Sequence, residues 1–387
     1  MNRRYVVFVL NLLQDVNIVR PLAMLASKEM DVAVAFLISD RFHVRDKQKV
    51  WSVEIDKLAD EISAEVVVYD GVESAFQWLS QRHGALIAAS ESNLSAHHEV
   101  HNVFRVAPAG FVTVTLQHGF ECVGFLQNRE HDKAHGRNVR FGADIVAGWL
   151  SEDGMTSMAP SEKPKLVVTG PGLVLQRPDV QRSPSAEGLV CENLHSVRLS
   201  ASGDFKASFM DVFFDFCEAV GFDGKKVALR PHPGGQYVLK NKLTLPDNVV
   251  LANNPIYQTN LSAYRYGVSA PSSVVIDMVL AGIPTAVWRD QDGMMDTRHY
   301  DGLSMISTFD DWLAFRRDAL DRPEMLLERQ ERYLRGLGMP KDVDDVRGRF
   351  LDLMETASRR WPPPAVAKTV SRVRIREHAD GLSVSRP

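Results

Sequence analysis

Cysteine is scarce in this 387-residue chain. Cys122, Cys191 and Cys217 are the only three, with no CxxC pair and no metal-ligand spacing. An odd, scattered set argues against a disulfide framework and fits a reducing, cytoplasmic compartment. No eighteen apolar residues run unbroken, so no membrane span is expected. Met1-Asn2-Arg3-Arg4 before Tyr5–Leu10 has the outline of a signal segment. The apolar run is too short, however; Asn11, Gln14 and Asp15 interrupt it, and no small-residue cleavage site follows, so a buried first strand is expected. Neither sign of charge dominates: 45 basic residues face 49 acidic ones, a net of −4 with histidine neutral. That balance gives no bulk reason to expect nucleic-acid binding. There is no HExxH, no clustered acidic spacing, no Walker A loop, no GxGxxG and no GxSxG. Metal and tightly bound cofactor are therefore not expected. His97-His98-Glu99-Val100-His101 falls one residue short of HExxH and reads as a solvated helix face, and Asp290-Gln291-Asp292 reads as solvated loop charge.

What is present is core-forming material. Hydrophobic residues make up 45% of the chain and charged residues 24%, which fits folded domains rather than global disorder. At roughly 150 residues per domain the length suggests two or three. Short apolar runs alternate with helical patterns. Strands are expected at Tyr5–Leu10, Asp31–Ile38, Val66–Tyr69, Ala85–Ala88 and Phe111–Leu116, and more weakly at Asp144–Ala147 and Leu166–Thr169. Continuous apolar runs, rather than strict alternation, predict strands covered on both faces. Helices are expected at Val50–Ser63 and Ser74–Gln81, and Pro21 is placed near the start of another, after a polar loop at Asn11–Asp15. Gln176–Glu187, with Arg177-Pro178 and Ser183-Pro184-Ser185, reads as a linker. The alternation then restarts, with strands at Leu189–Cys191, Lys226–Leu229, Val249–Leu251, Gly267-Val268 and Thr285–Trp288, and helices at Phe205–Val220 and Ser273–Ala281. Three more helices, Phe309–Leu320, Pro323–Leu337 and Asp342–Ser358, precede the stop at Trp361-Pro362-Pro363-Pro364. Strand–helix alternation in two halves is an α/β signature of parallel sheets. The resulting division is 1–175, a linker at 176–187, 188–340, a crossover helix at 341–360 and a tail at 361–387. Lys368, Arg372, Arg374 and Arg376 in that tail interleave with Val370, Val373 and Ile375, a pattern open to peripheral membrane contact or to a frayed tail or edge strand.

Parallel sheets place ligands at the carboxyl ends of their strands. Four such places carry chemistry. Gln117-His118-Gly119-Phe120-Glu121 follows an apolar run, and an imidazole there can take a hydroxyl proton near neutral pH. Arg230-Pro231-His232-Pro233-Gly234-Gly235 combines a rigid turn with two groups suited to phosphate oxygens. Ser272-Ser273, opening a helix that contains Asp277, offers hydroxyls and free backbone N–H groups to an anion. Glu192-Asn193-Leu194-His195-Ser196-Val197-Arg198 borders the same cleft, so His195, Ser196 and Arg198 are donor-side candidates. Asn11, Gln14, Asp15, Asn17, Gln117 and Glu121 are expected on the acceptor side, and Arg298-His299-Tyr300 near the donor.

The series Gln117-His118-Gly119, Arg230-Pro231-His232-Pro233 and Ser272-Ser273-Val-Val-Ile-Asp277 resembles the motifs of GT-B transferases of bacterial surface polymers. It is most similar to the CDP-glycerol glycerophosphotransferases of teichoic acid synthesis, and also to polysialyl- and Kdo-transferases. The resemblance spans about Tyr5 to Tyr300. It implies two facing Rossmann-like domains, the GT-B fold, with inverting, metal-independent transfer. It also implies His118 as base, with Arg230, His232, Ser272 and Ser273 on the donor phosphates. Gln117 stands where that family usually has Trp, and Ala270-Pro271 replaces an Asp-Tyr pair, which favours a sugar donor over CDP-glycerol. The expected function is transfer of a sugar from a nucleotide-activated donor to a glycan or lipid-linked glycan of capsule, O-antigen or a teichoic-acid-like polymer. It would act in the cytoplasm or at the inner face of its membrane. Phosphopolyol transfer, nucleotide-sugar epimerisation and a non-catalytic binding module on the same fold are the alternatives.

Overall fold

The computed structural model describes residues 3–176, 185–200, 205–359, 374–378 and 381–385. Seven strands form the first sheet: β1 Tyr5–Leu10, β2 Ala33–Ser39, β3 Glu65–Tyr69, β4 Gly84–Ala88, β5 Phe111–Leu116, β6 Ile145–Gly148 and β7 Leu166–Val168. Their order is β3-β2-β1-β4-β5-β6-β7, and every pairing is parallel. Six strands form the second: β8 Gly188–Cys191, β9 Val227–Arg230, β10 Val249–Leu251, β11 Tyr266–Ser269, β12 Thr285–Trp288 and β13 Ser304–Ile306. The order is β10-β9-β8-β11-β12-β13, again all parallel. The chain's progress across each sheet reverses once, between β1 and β4 and between β8 and β11. Those are the switch points where a crevice opens beyond the strand ends.

The buried strands show why the apolar runs do not alternate. Val6 through Leu10 are all buried, odd and even residues facing different helix layers. The edge strands are more open: Val66 and Val68 of β3, Val167 of β7 and Leu251 of β10 are exposed. The Val343–Arg359 helix leaves the second sheet and packs Val346, Phe350, Leu353, Met354 and Ala357 into the core of the first. The other first-sheet core is continuous with Val275, Ile276, Tyr300 and Tyr333 of the second lobe, so one apolar body joins the two.

Several local expectations change. The first helix begins at Asp15, not beside Pro21, because the Asp15 carboxylate accepts the Asn11 and Leu12 N–H groups and closes the turn early. Pro21 therefore sits inside the helix and leaves the Asn17 carbonyl without its usual donor; Gln176 Nε2 supplies one at 2.5 Å. The His98–Val106 helix is not a solvated face. His101 is buried against Glu91 at 2.6 Å, and His97 against Ser92 at 2.8 Å. Asp290 is buried too, accepting the Met294 and Met295 N–H groups at 2.7 Å each. The strand at Ser304–Ile306 has no counterpart in the sequence pattern; three residues carry too little periodicity to read. Most of the linker, residues 177–184, and the tail positions Lys368, Val370, Arg372 and Val373 lie outside the described residues. Arg374–His378 and Gly381–Ser385 pair as an antiparallel hairpin separate from both sheets. Among the described residues no helix is long and apolar enough to cross a membrane.

Candidate active site

A cavity of about 630 Å³ lies where the carboxyl ends of the two sheets meet. The loop after β5 and the loops after β8, β9 and β11 all reach it. It gathers Gln14, Gln117, His118 and Glu121 from the first lobe with His195, Ser196, Arg198, Arg230, His232, Ser272, Ser273 and Asp277 from the second.

His118 stands directly after β5. Its Nδ1 lies 3.2 Å from the Ala89 carbonyl, and the Cys122 Sγ lies 3.2 Å from the same nitrogen. A proton on Nδ1, donated to that carbonyl, leaves Nε2 as the acceptor nitrogen, with the Cys122 Sγ 3.4 Å from it. Burial holds the imidazole at about 4, so it is neutral at physiological pH. The His97 ring meets it edge-on, with centroids 5.5 Å apart.

Gln117 does not face the acceptor side as a free group. Its amide donates to the Gly119 and Phe120 carbonyls at 2.8 and 3.2 Å and accepts the Trp149 N–H at 2.8 Å. It braces the turn that presents His118. Gly119 is needed for a different reason: a Cβ there would lie 2.5 Å from Ser273 Oγ. Phe120 N–H donates to that same Oγ at 2.8 Å, so the two lobes touch at backbone distance.

On the second lobe, His232 stacks on His195 with ring centroids 3.8 Å apart. Gly234 and Gly235 N–H groups donate to His232 Nδ1 at 3.1 and 3.3 Å, which places its proton on Nε2. The turn closes through a Gln236 N–H bond to the His232 carbonyl, with Gln236 in the left-handed region at φ 48°. Burial, then the neighbouring charges, pushes His232 down to about 3, and burial lowers His195 as well. Glu192 serves the same turn by accepting the Tyr237 and Val238 N–H groups at 2.6 and 3.0 Å.

Arg230 is more a brace than a free phosphate ligand. It is buried and donates to the Asn254 carbonyl at 2.6 Å and the Ala252 carbonyl at 3.4 Å. Its charge draws Asp277 down, but burial outweighs it and raises that carboxyl to about 7. Ser272 is the N-cap of the Ser273–Leu280 helix, and its side chain makes no capping bond. Arg198 and Glu121, expected on the donor and acceptor sides, pair with each other across the lobes at 2.5 and 2.6 Å and are both buried. Neither charge is free for a ligand.

Asp15 and Asn11 lie outside the cavity. Asp15 is fully buried, bound by Ser90 Oγ at 2.5 Å, and burial raises it to about 6. Asn11 is held by Arg45, at 2.6 Å to its side chain. Asn17, expected beside them, does line the wall. Arg298 and His299 are turned to another cavity, and Tyr300 is buried. Sequence reasoning passes over His131 and His135, which also line the cleft. Their i, i+4 spacing on the Arg129–His135 helix, just after the His118 loop, is the available signal. His131 Nδ1 is buried without a partner, and burial lowers the ring to about 4. Among the described residues no three His, Cys, Asp or Glu side chains are grouped to hold a metal ion.

No protein-family model matches the chain, and no curated protein matches its sequence. Solved structures match in fold. The UDP-GlcNAc 2-epimerase of Neisseria meningitidis, bound to UDP-GlcNAc, is 9% identical with a TM-score of 0.58, covering 90% of this chain and 98% of that one. The S. aureus MnaA–UDP complex is 8% identical at TM-score 0.55, covering 85% and 91%. The calicheamicin glycosyltransferase CalG4 is 13% identical at TM-score 0.51, covering 94% and 100%. The likeness is one of fold. This chain has the GT-B fold, two facing parallel-sheet domains with C-terminal helices, which glycosyltransferases share with UDP-GlcNAc 2-epimerases.

Proposed function

We propose that the chain is a nucleotide-sugar-dependent glycosyltransferase that moves a sugar to a glycan hydroxyl with inversion. One observation carries the reading: a single interlobe cavity collects His118 from one sheet end and His232, His195, Ser272 and Ser273 from the facing one. The two sets have different chemistry. His118 is a neutral imidazole with a lone pair to offer, suited to taking the proton of an acceptor hydroxyl. Such a base is worth about 10² to 10⁴ in rate. The facing set offers donors: His232 Nε2–H, the Ser272 hydroxyl and the free N–H groups at the start of the Ser273–Leu280 helix. A nucleoside diphosphate leaving group gains negative charge as the glycosidic bond breaks, and preorganised donors stabilise it there. Arg230 and Asp277 hold the floor beneath these groups.

Epimerisation is the second reading. It needs groups that remove and return a proton at a sugar carbon, and with Glu121 held by Arg198 the first-lobe groups lining the cleft for that are His118, His131 and His135. A uridine nucleotide is the first donor to test, since the MnaA structure above carries UDP and the Neisseria epimerase structure carries UDP-GlcNAc.

The test pairs His118→Ala with His232→Ala. Calorimetry against UDP, CDP, GDP, ADP and CMP should find one base class that binds wild type and His118→Ala alike and binds His232→Ala weakly. Transfer to a glycan acceptor should be lost in His118→Ala. Wild-type transfer by that variant would remove His118 as base. Donor isomerisation without any acceptor would replace transfer by epimerisation, and phosphorus in the product linkage would replace sugar by phosphopolyol transfer.

A further inference from the structure

Behind the turn that carries His118 lies a second interlobe cavity of about 720 Å³. Phe120, Leu126, Leu150, Gly154 and Thr156 form its first-lobe wall. Arg298, His299, Arg329, Arg332 and Tyr333 face them from the second. The proposed transfer uses none of these groups.

Its charge is unbalanced. Arg298 lies 3.5 Å from Asp296 and donates to the Gln127 carbonyl at 3.0 Å. Among the described residues Arg329 reaches only the Ser304 hydroxyl, at 3.4 Å. Among the described residues no carboxylate pairs with Arg329 or Arg332, and Asp301 is the acidic group in the wall. Arg329 and Arg332 stand at i and i+3 of the Pro323–Leu337 helix, both exposed, with Glu328 four residues before Arg332. This occurs in a chain of net charge −4, in which carboxylates are plentiful. The opposite wall is built on Phe120, Leu126 and Leu150, which are themselves buried, with Gly154 and Thr156 beside them.

We infer that this cavity is a binding site for a phosphorylated, sugar-sized ligand. Arg329 and Arg332, one turn apart on one helix, suit the oxygens of a phosphate monoester, and its charge of about −1.5 to −2 meets theirs. The site borders the cleft through one residue: Phe120 forms its wall, while the Phe120 N–H is bound to Ser273 Oγ on the cleft side. An occupant therefore bears on one of the contacts between the lobes.

The experiment is calorimetry of the full chain with glucose 6-phosphate, in the presence of saturating UDP. One further molecule should bind, and the double variant Arg329→Glu/Arg332→Glu should weaken it by about tenfold or more, the loss of two charge-assisted contacts. The double variant should bind UDP as wild type does. His232→Ala should keep glucose 6-phosphate binding. Its loss in His232→Ala would place the ligand in the cleft and overturn the inference, as would equal binding of unphosphorylated glucose or no binding at all. Equal binding of glucuronate would overturn the choice of phosphate over carboxylate. Arginine-dependent binding in a chain that takes up no nucleotide would sustain this site while refuting the donor reading of the cleft.

Discussion

Gly119→Ala tests the closeness of the lobes with a single methyl group. The new Cβ would lie 2.5 Å from Ser273 Oγ, where ordinary contact begins at 3.4 Å. About 0.9 Å must therefore be found. Gly119 does not occupy the left-handed region, so backbone strain plays no part. If the lobes separate, the methyl acts as overpacking, which costs about 1–3 kcal/mol. If Ser273 rotates away, the 2.8 Å bond from Phe120 N–H is lost instead, at about 0.5–1.5 kcal/mol. Ser273→Ala alone costs only the bond. In the double variant the clash is gone, because Ser273 Cβ lies 3.7 Å from where the added methyl would sit, an ordinary contact. Gly119→Ala/Ser273→Ala should thus be no worse than Ser273→Ala alone, a coupling of about 0.5–3 kcal/mol in the rescuing direction. Urea unfolding of the four proteins measures it, and nucleotide affinity should follow the same order. Additive losses, or an unaffected Gly119→Ala, would refute the close approach.

Other outcomes follow from the same cleft. Arg198→Met strands a buried Glu121 carboxylate and should cost about 3–5 kcal/mol in urea unfolding, most of it recovered by adding Glu121→Leu; no recovery would mean the pair is not the reason for the loss. Acid should destabilise the fold. Burial holds His97, His118, His131 and His232 at about 3, 4, 4 and 3, whereas the unfolded chain protonates them near 6.5. Between those values the unfolded state binds more protons, so stability falls as pH falls. Asp15 and Asp277, raised to about 6 and about 7, act in the opposite sense, but they are two against four. The slope is about 1.4 kcal/mol per pH unit for each unbalanced proton. Urea midpoints that hold steady or rise from about pH 6 to 4.5 would contradict the burial of these imidazoles.

The architecture was legible because parallel strands covered on both faces must be apolar throughout. Tyr5–Leu10, Phe111–Leu116 and Thr285–Trp288 have the same bounds in sequence pattern and structure. The cleft was legible in outline, since residues following such runs converge at strand ends; His118, His232, Ser272 and Ser273 share one cavity. What each polar group does there was not legible. Gln117, Arg198 and Glu121 look like ligand contacts in sequence, yet their partners are the Trp149 backbone and each other, 32 and 77 positions away. The same limit applies to Asp15, whose burial depends on Ser90 from another strand end. Pattern records which face a residue turns to the core. It does not record which distant donor arrives to meet it.

Pro21 and Gln176 show how a local defect acquires a distant use. A proline inside a helix leaves one carbonyl vacant, and here the vacancy is the mooring of the segment that leaves the first lobe. The residue that disrupts the helix thus gives the connector its purchase. Pro21→Ala makes the helix more regular and restores an N–H that competes with Gln176 for the Asn17 carbonyl. Amide hydrogen exchange at Gln176 should then quicken while the melting temperature stays level or rises. Regularity in the helix and grip on the connector trade against each other, and this chain keeps the grip.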